Sequence, residues 1–341
     1  MFKKFFSLFL ISIILFSALF IAGCSSGESW NNEIGGFIGG TTGLRMGIVE
    51  GAPPNILLDA GANPFSVIIS LENLGEADVG PGTDNPLLMA RITGIDYTNF
   101  GFTSGQAIQS INQNLDSAKR NYDGSEMPGA ITYVNFDNLV YKPDVSTDVS
   151  LVIRAEICYD YESYATATFC MKSNIFNSWD DNSICTIRES KPVGNSGSPL
   201  HVTRVEEAPI NNNTVQIIFY IEHVGRGAFF QRSSYSSLSD VCLFSDANTN
   251  INKVEVFVEP VQDNSYSLDC PRLRTGLAGG GASGVVTLIR GAPLAITCSL
   301  SRTRPTSIQA YKDIINIKMR YRYGEYIEIP ITIQSELFDN I

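Results

Sequence analysis

Few residues of this 341-residue chain have side chains that catalysis requires. The chain contains two histidines, His201 and His223, and a candidate nucleophile, Ser196, in a glycine-rich segment. A serine nucleophile needs a histidine base that is itself oriented by a carboxylate. Each histidine stands alone in a strand-like segment, which is typical of a structural residue rather than a base. We therefore predict that the protein is not an enzyme.

The segment around Ser196 is the reason to consider an enzyme as an alternative. Gly194-Asn195-Ser196-Gly197-Ser198-Pro199 is similar to the nucleophile loop of chymotrypsin-like serine proteases, which would make Ser196 the nucleophile of a secreted serine hydrolase. In that family the histidine and the aspartate precede the serine, whereas both histidines of this chain follow it. The hydrolase is kept as a remote alternative.

Metal ions and cofactors are not expected either. No CxxC motif is present, and only two histidines are available to complete a zinc site. The acid pairs Asp180-Asp181 and Asp78 with Asp84 lack the spacing of a calcium-binding EF-hand loop. The sequence predicts no cofactor and no metal site.

The first 24 residues predict export. Lys3 and Lys4 precede an uncharged apolar run, Phe5 to Ile21, and the segment closes with Ile21-Ala22-Gly23-Cys24. This layout is typical of a signal peptide with a lipobox, in which Cys24 is lipidated and becomes the mature N-terminus. An uncleaved membrane anchor and simple secretion are the alternatives. All three possibilities place the chain outside the cytoplasm. The lipidated cysteine and the uncleaved segment would also anchor it to the cell membrane, facing the exterior.

The net charge and the cysteine content indicate which ligands and which cellular compartment suit the protein. The formal net charge of −11 argues against nucleic acid, which is bound through lysine and arginine. Besides Cys24 there are six cysteines, an even number that suits disulfides in an oxidising compartment: Cys158, Cys170, Cys185, Cys242, Cys270 and Cys298. We favour the pairs Cys170–Cys185 and Cys270–Cys298. Three cysteines lie in each half, so each half keeps a free thiol unless a bridge crosses between the halves. Asn212 begins the one glycosylation sequon.

A repeat organises the rest of the chain. Three segments recur in order: 49–55 as 205–211, 65–75 as 215–225, and 153–161 as 315–323. We therefore predict residues 1–23 as signal peptide, 24–42 as a flexible tether, 43–190 as a first domain, 191–199 as a linker and 200–335 as a second domain.

The repeated segments have the period of a β-strand. Val215, Ile217 and Phe219 fall on one face of an extended chain, which predicts strands with one buried face. The fold class is all-β, with two tandem immunoglobulin-like antiparallel β-sandwiches preceded by the signal or anchor helix. A stripe from Ile108 to Ala118 predicts a short helical insertion in the first domain, and Tyr323–Tyr326 predicts a hairpin turn.

These residues resemble the immunoglobulin-like, CARDB-type sandwiches of archaeal and bacterial cell-surface proteins. The strand end Ile69-Ser70-Leu71-Glu72-Asn73-Leu74-Gly75 is the best single match, and the overall plan looks like that of tandem-domain surface lipoproteins of archaea. The resemblance implies a role in adhesion, scaffolding or envelope assembly, without catalytic residues. The Cys…Trp…Cys pattern of antibody-type domains is missing.

We expect other surface proteins or glycans as partners, recognised by the loops 96–130 and 231–250. A set of tyrosines predicts an aromatic contact patch, although aromatic residues are also ordinary strand residues: Tyr159, Tyr161, Tyr164, Tyr321, Tyr323 and Tyr326. A carbohydrate- or solute-binding surface module and a subunit of a surface filament, completed by strand exchange, are the alternative functions.

Overall fold

The computed structural model of the protein describes most of the chain between Gly36 and Ser335. The described ranges are residues 36–61, 63–172, 184–187, 189–244, 248–260, 266–275, 281–289, 292–303 and 310–335. The predicted signal peptide, Cys24, most of the predicted tether and the pair Asp180-Asp181 lie outside the described residues.

The described residues form β-strands and one 3-10 turn, Leu238–Asp240, with no α-helix among them. The strands of the first half are β1 (Leu44–Ile48), β2 (Ile56–Leu58), β3 (Phe65–Asn73), β4 (Leu88–Thr93), β5 (Ile108–Ser110), β6 (Lys119–Arg120), β7 (Glu126–Met127), β8 (Ile131–Leu139) and β9 (Val149–Lys172). Those of the second half are β10 (Ser190–Lys191), β11 (Val193–Asn195), β12 (Leu200–Asn211), β13 (Thr214–His223), β14 (Ala228–Phe230), β15 (Lys253–Pro260), β16 (Tyr266–Asp269), β17 (Arg274–Thr275), β18 (Ala282–Thr287), β19 (Leu294–Arg302) and β20 (Ala310–Gln334). The predicted all-β class is confirmed. Within this part of the chain, no helix has the length and apolarity needed to cross a membrane.

One large sheet and two small sheets make up the core of the architecture, and β6 pairs with β7 in a separate two-stranded sheet. The large sheet, here the central sheet, has the order β17-β18-β15-β20-β9-β4-β5, with β11, β14 and β2 paired at its sides. The small sheets have the orders β1-β3-β8 and β10-β12-β13-β19-β16. Neighbouring strands in the small sheets are antiparallel, and β2 pairs parallel with β20.

Strand alternation places the core between these sheets. In β3, every second side chain is buried, and Val67, Ile69 and Leu71 are completely inaccessible to solvent. Such a strand buries one face because successive side chains point to opposite sides of the sheet. The first small sheet meets the central sheet where the Leu44 N–H donates to the hydroxyl of Tyr159, over 3.2 Å. The result is a sandwich-like stack.

Two long strands join the halves. β9 pairs antiparallel with β20 along its whole length of 24 residues, so the central sheet runs without interruption from one half to the other. Asp160 lies opposite Arg322, and the neighbouring pairs are Tyr159 with Tyr323 and Tyr161 with Tyr321. The two predicted sandwiches therefore share one sheet.

The sequence repeat reappears as paired contacts around this seam. In the first half, a Cβ on Gly75 would overlap with the hydroxyl of Tyr161, and in the second half Gly225 stands in the same relation to Tyr323. Each hydroxyl also accepts the backbone N–H two residues after its glycine, over 3.4 and 2.7 Å. Only glycine allows such close approach of a backbone to a tyrosine, so both repeats need it at this position.

Three disulfides hold the fold: Cys158–Cys242, Cys170–Cys185 and Cys270–Cys298. The last two join the cysteines that the sequence analysis paired. The first crosses between the halves and so uses the cysteine left over in each. Three bridges indicate an oxidising compartment outside the cytoplasm.

The predicted helix at Ile108–Ala118 is wrong. Ile108–Ser110 is strand β5, which pairs with Met89–Arg91 of β4, and Leu115 forms a bridge with Val79. Thr103 and Gln106 do exchange the hydrogen bonds of a helix start, but only a single turn follows. The residues between the apolar positions, such as asparagine and aspartate, favour helices only weakly. Pairing with β4 therefore decides the conformation here, and the helical spacing of the apolar residues does not.

The segment predicted as a linker is packed into the fold. Val193–Asn195 is β11, paired with Ala165–Ala167 of β9, and Ser196 and Ser198 are buried. The end of the predicted tether is also held, because the Glu76 carboxylate accepts the N–H groups of Ile38 and Gly39 as well as that of Gly197. Small residues are used here for close backbone contact rather than for flexibility.

The predicted hairpin turn at Tyr323–Tyr326 is also wrong, since β20 runs straight through it. A Cβ on Gly324 would lie 2.9 Å from Phe244 and 3.2 Å from the Cβ of Cys242. Gly324 is therefore needed to let the segment that carries Cys242 lie against the strand.

Candidate functional site

The face of the central sheet that points away from the small sheets carries a row of ion pairs. Asp160 accepts from Arg322 over 2.9 Å, Glu156 from Arg91 over 2.5 Å, and Glu162 forms a salt bridge with Arg320. Asp160–Arg322 and Glu162–Arg320 join β9 to β20, so they also tie the two halves together. We call this surface the outer face.

Residues 231–244, which we call the clamp loop, lie across the outer face. The bridge Cys158–Cys242 attaches the loop to β9, and Arg91 donates to the carbonyls of Val241 and Cys242 over 3.1 and 3.0 Å. Near its start, Arg232 donates to the carbonyls of Tyr161 and Tyr321. A loop of the second half thus covers the middle of the shared sheet and holds the first half.

The buried arginines and carboxylates of the outer face stabilise one another. Burial lowers the pKa of the Arg232 guanidinium, and Asp160 and Glu162 oppose that effect. Glu156, Asp160 and Glu162 are each almost completely buried and each has an arginine partner. A buried charge that lost its partner would be strongly destabilising, so these pairs are structural. They are not arranged as a general acid and base.

Beside the clamp loop, the outer face is open. A groove of about 330 Å³ runs over β9, β20 and β15. Its lining, which defines what we call the aromatic groove, is Phe37, Tyr164, Ala165, Thr166, Phe257, Glu259, Asn316, Ile317 and Lys318. Its volume falls in the range of small-ligand sites. The alternation of the strands explains the lining, because Tyr164 and Thr166 point away from the core together with Asn316 and Lys318.

A second depression, the polar basin, adjoins the aromatic groove at Tyr164. It has a volume of about 620 Å³ and is lined by Glu76, Ala77, Asp78, Gly82, Thr83, Asp84, Asn85, Ser117, Lys119, Glu162 and Tyr164. Burial opposes the charge of Asp78, but hydrogen bonds from the backbone and side chain of Ser117 lower its pKa. Asp78 and Asp84, considered from sequence for calcium, both line this basin. Among the described residues no cluster of three or more His, Cys, Asp or Glu side chains has the arrangement of a metal site.

Ser196 lies in an environment unsuited to a nucleophile. Its side chain is buried, and its hydroxyl accepts the N–H of Tyr164 over 2.9 Å. The ring of His201 contacts the carbonyl of Gly40 instead, and burial lowers the pKa of that imidazole. His223 lies beside Tyr323, with 3.0 Å between Nε2 and the hydroxyl. The structure brings neither histidine into a nucleophile–base pair with Ser196.

The predicted aromatic contact patch is wrong for four of its six tyrosines. Tyr159, Tyr161, Tyr321 and Tyr323 are fully buried and stack edge to face in the core. Burial raises the pKa of all four. Their odd positions in β9 and β20 direct them to the inner face, where they hold the seam between the halves.

The other two tyrosines of the set reach the outer face. Tyr164 is half-buried between the aromatic groove and the polar basin. Tyr326 is exposed, with the guanidinium of Arg154 4.4 Å from its ring centre and the Phe244 ring 5.5 Å away.

The predicted glycosylation site is exposed, and the two loops predicted for recognition are exposed in part. Asn212 is exposed in the turn between β12 and β13, where it is accessible for modification. Within the loops predicted for recognition, residues 231–244 are the clamp loop and serve the fold, although Tyr235 and Leu243 are exposed. In residues 96–130, Tyr122 and Met127 are the exposed large side chains.

The sequence analysis missed Phe37 and Phe257, the two aromatic walls of the groove. One signal was present in β15, where the outward positions Lys253, Glu255, Phe257 and Glu259 alternate with buried residues. A single phenylalanine among charged residues on the polar side of a strand is common, so this signal alone does not identify a contact surface. Phe37 gave no such signal, because it stands in a glycine-rich segment.

Comparison with known proteins adds little to this geometry. No protein-family model matches the chain, and no curated protein matches it. A solved structure with some similarity is the secreted serine protease VesC from Vibrio cholerae, at 8% identity over 82% of this chain and 50% of that chain, with a TM-score of 0.16. This chain thus spans about half the length of that structure. A likeness at that TM-score supports no argument about fold or function.

Proposed function

We propose that the protein is an exported, non-catalytic surface protein, anchored to the cell membrane through lipid on Cys24 and acting in adhesion, scaffolding or envelope assembly. Its two halves are immunoglobulin-like, CARDB-type sandwiches that have fused through β9 and β20. Recognition takes place on the outer face, beside the clamp loop.

The observation that carries this proposal is the bracing of the outer face. The Cys158–Cys242 bridge, the Arg91 contacts and the paired charges fix both halves in one arrangement. Binding residues held on a rigid scaffold lose little freedom on binding, which favours affinity. A platform of this kind suits a protein that presents a surface to partners.

The chemistry of the described residues supports a non-catalytic role. The buried carboxylates of the outer face are paired with arginines, and the hydroxyl of Ser196 is occupied by a backbone N–H. General acid–base chemistry requires a group that is positioned to exchange a proton with a substrate. These groups are engaged in contacts within the fold instead.

Fractionation of cells that express the full chain tests the anchoring. We expect the protein in the membrane fraction and accessible to protease added outside the cell. The parent chain should take up a labelled lipid and run as the cleaved form, whereas Cys24→Ser should take up no label and keep its N-terminal segment. Ser29→Ala, which leaves Cys24 and all three disulfides in place, is the control and should behave as the parent chain does. A parent chain that takes up no lipid label, or a Cys24→Ser variant that takes up as much label as the parent, would contradict lipid anchoring at Cys24.

A further inference from the structure

We propose that the aromatic groove is a binding site for neutral saccharide units. This inference rests on the proposed function, since it assigns a ligand class to the outer face of a surface protein. A sugar ring has apolar C–H faces and a rim of hydroxyls, so its site needs aromatic walls together with side chains that donate and accept hydrogen bonds.

The aromatic groove has those walls. Phe37 and Phe257 line it and are both half-buried, and Tyr164 extends the aromatic surface toward the polar basin. The position of Phe37 is fixed, because the next two N–H groups, of Ile38 and Gly39, donate to Glu76. Phe257 is fixed by the pairing of β15 with β20 on one side and β18 on the other.

Polar groups between the walls supply both kinds of hydrogen bond. Asn316 offers an amide and Glu259 a carboxylate, and Lys318 adds an ammonium group that lies over the Phe257 ring, 5.3 Å from its centre. The hydroxyl of Tyr164 donates to Glu162, so its oxygen remains able to accept a hydrogen bond.

Other ligand classes fit less well. A peptide cannot add to the sheet here, because β9, β20 and β15 have strands on both sides and offer no unpaired edge. An anionic ligand would meet Glu259 in the groove and Asp78, Asp84 and Glu162 in the adjoining basin. A purely apolar ligand would leave the polar lining without partners.

The test is titration calorimetry of the purified, disulfide-intact protein with neutral di- and trisaccharides of glucose, mannose, galactose and N-acetylglucosamine. We expect at least one of these probes to bind with a dissociation constant in the millimolar range or below. Phe257→Leu keeps the apolar volume but removes the ring and should weaken binding about tenfold, whereas Phe257→Tyr should retain it. Tyr133→Leu removes an exposed aromatic ring from β8, outside the groove, and should change nothing.

The proposal is overturned if no probe binds at millimolar concentration, or if Phe257→Leu binds as the parent protein does. It is also overturned if Tyr133→Leu weakens binding as much as Phe257→Leu. These outcomes leave the proposed anchoring untouched, since it is tested separately on the N-terminal segment.

Discussion

Removal of the bridge between Cys158 and Cys242 tests how the two halves are held together. The bridge closes a segment of 84 residues. From the loop-closure entropy of the unfolded chain, replacing both cysteines by alanine should lower the free energy of unfolding by about 4.5 kcal/mol. The matched control is the pair Cys170 and Cys185, which closes 15 residues. The same relation gives about 3 kcal/mol for its removal.

Both variants should still fold. Arg91 and Arg232 keep their hydrogen bonds to the clamp loop and to the seam, so the loss acts mainly on the unfolded chain. The assay is urea unfolding at neutral pH, followed by circular dichroism, with the midpoint and the slope compared between variants. A single transition is expected in each case, because the halves share the central sheet.

Two results would refute this reasoning. If the Cys158/Cys242 variant lost less stability than the Cys170/Cys185 variant, the size of the closed segment would not govern the cost. If the parent protein unfolded in two separate transitions, the shared sheet formed by β9 and β20 would not couple the halves.

Three further predictions follow from single residues. Gly75→Ala places a methyl group against the hydroxyl of Tyr161 and the carbonyl oxygen of Gly197, and should cost about 3 kcal/mol or more in the free energy of unfolding. The same urea assay measures it, and a loss below about 1 kcal/mol would contradict these contacts. Burial raises the pKa of Glu207 to about 7, against the lowering effect of Lys191, so the folded chain holds this proton more tightly than the unfolded chain. Stability from this group should be complete below about pH 4.5 and fall by about 3 kcal/mol as the pH rises through 7; Glu207→Gln should remove that fall, and an unchanged pH profile would show that Glu207 titrates normally. Ser196→Ala should leave any esterase or peptidase signal of the preparation unchanged, and loss of a signal in this variant alone would revive the hydrolase.

The sequence predicted those parts of the fold that depend on local pattern. The period of two in β13 and in the end of β20 identified strands and their buried faces, because one face of each strand packs on another sheet. The matched segments 65–75 and 215–225 lead into Gly75 and Gly225, which make equivalent contacts with Tyr161 and Tyr323. Such positions can be found by comparing a chain with itself.

Features set by long-range pairing were not predictable in this way. Ile108–Ala118 has helical spacing, but β4 offers its edge to Ile108–Ser110, and the strand pair forms instead. From sequence, the tyrosines of β9 and β20 suggest a contact patch. The pairing of the two strands buries four of them in the core. The aromatic groove depends on Phe37 and Phe257, which are more than two hundred residues apart in sequence.

The most direct test of the account is the intact mass of the protein extracted from its native membranes under non-reducing conditions, followed by peptide mapping of its bridges. The account predicts a chain that begins at Cys24, carries lipid, and lacks the two hydrogens that each of the three disulfides removes. It also predicts a peptide that joins Cys158 to Cys242. A full-length mass with all cysteines reduced would contradict both the lipid anchoring at Cys24 and the bridge that joins the two halves.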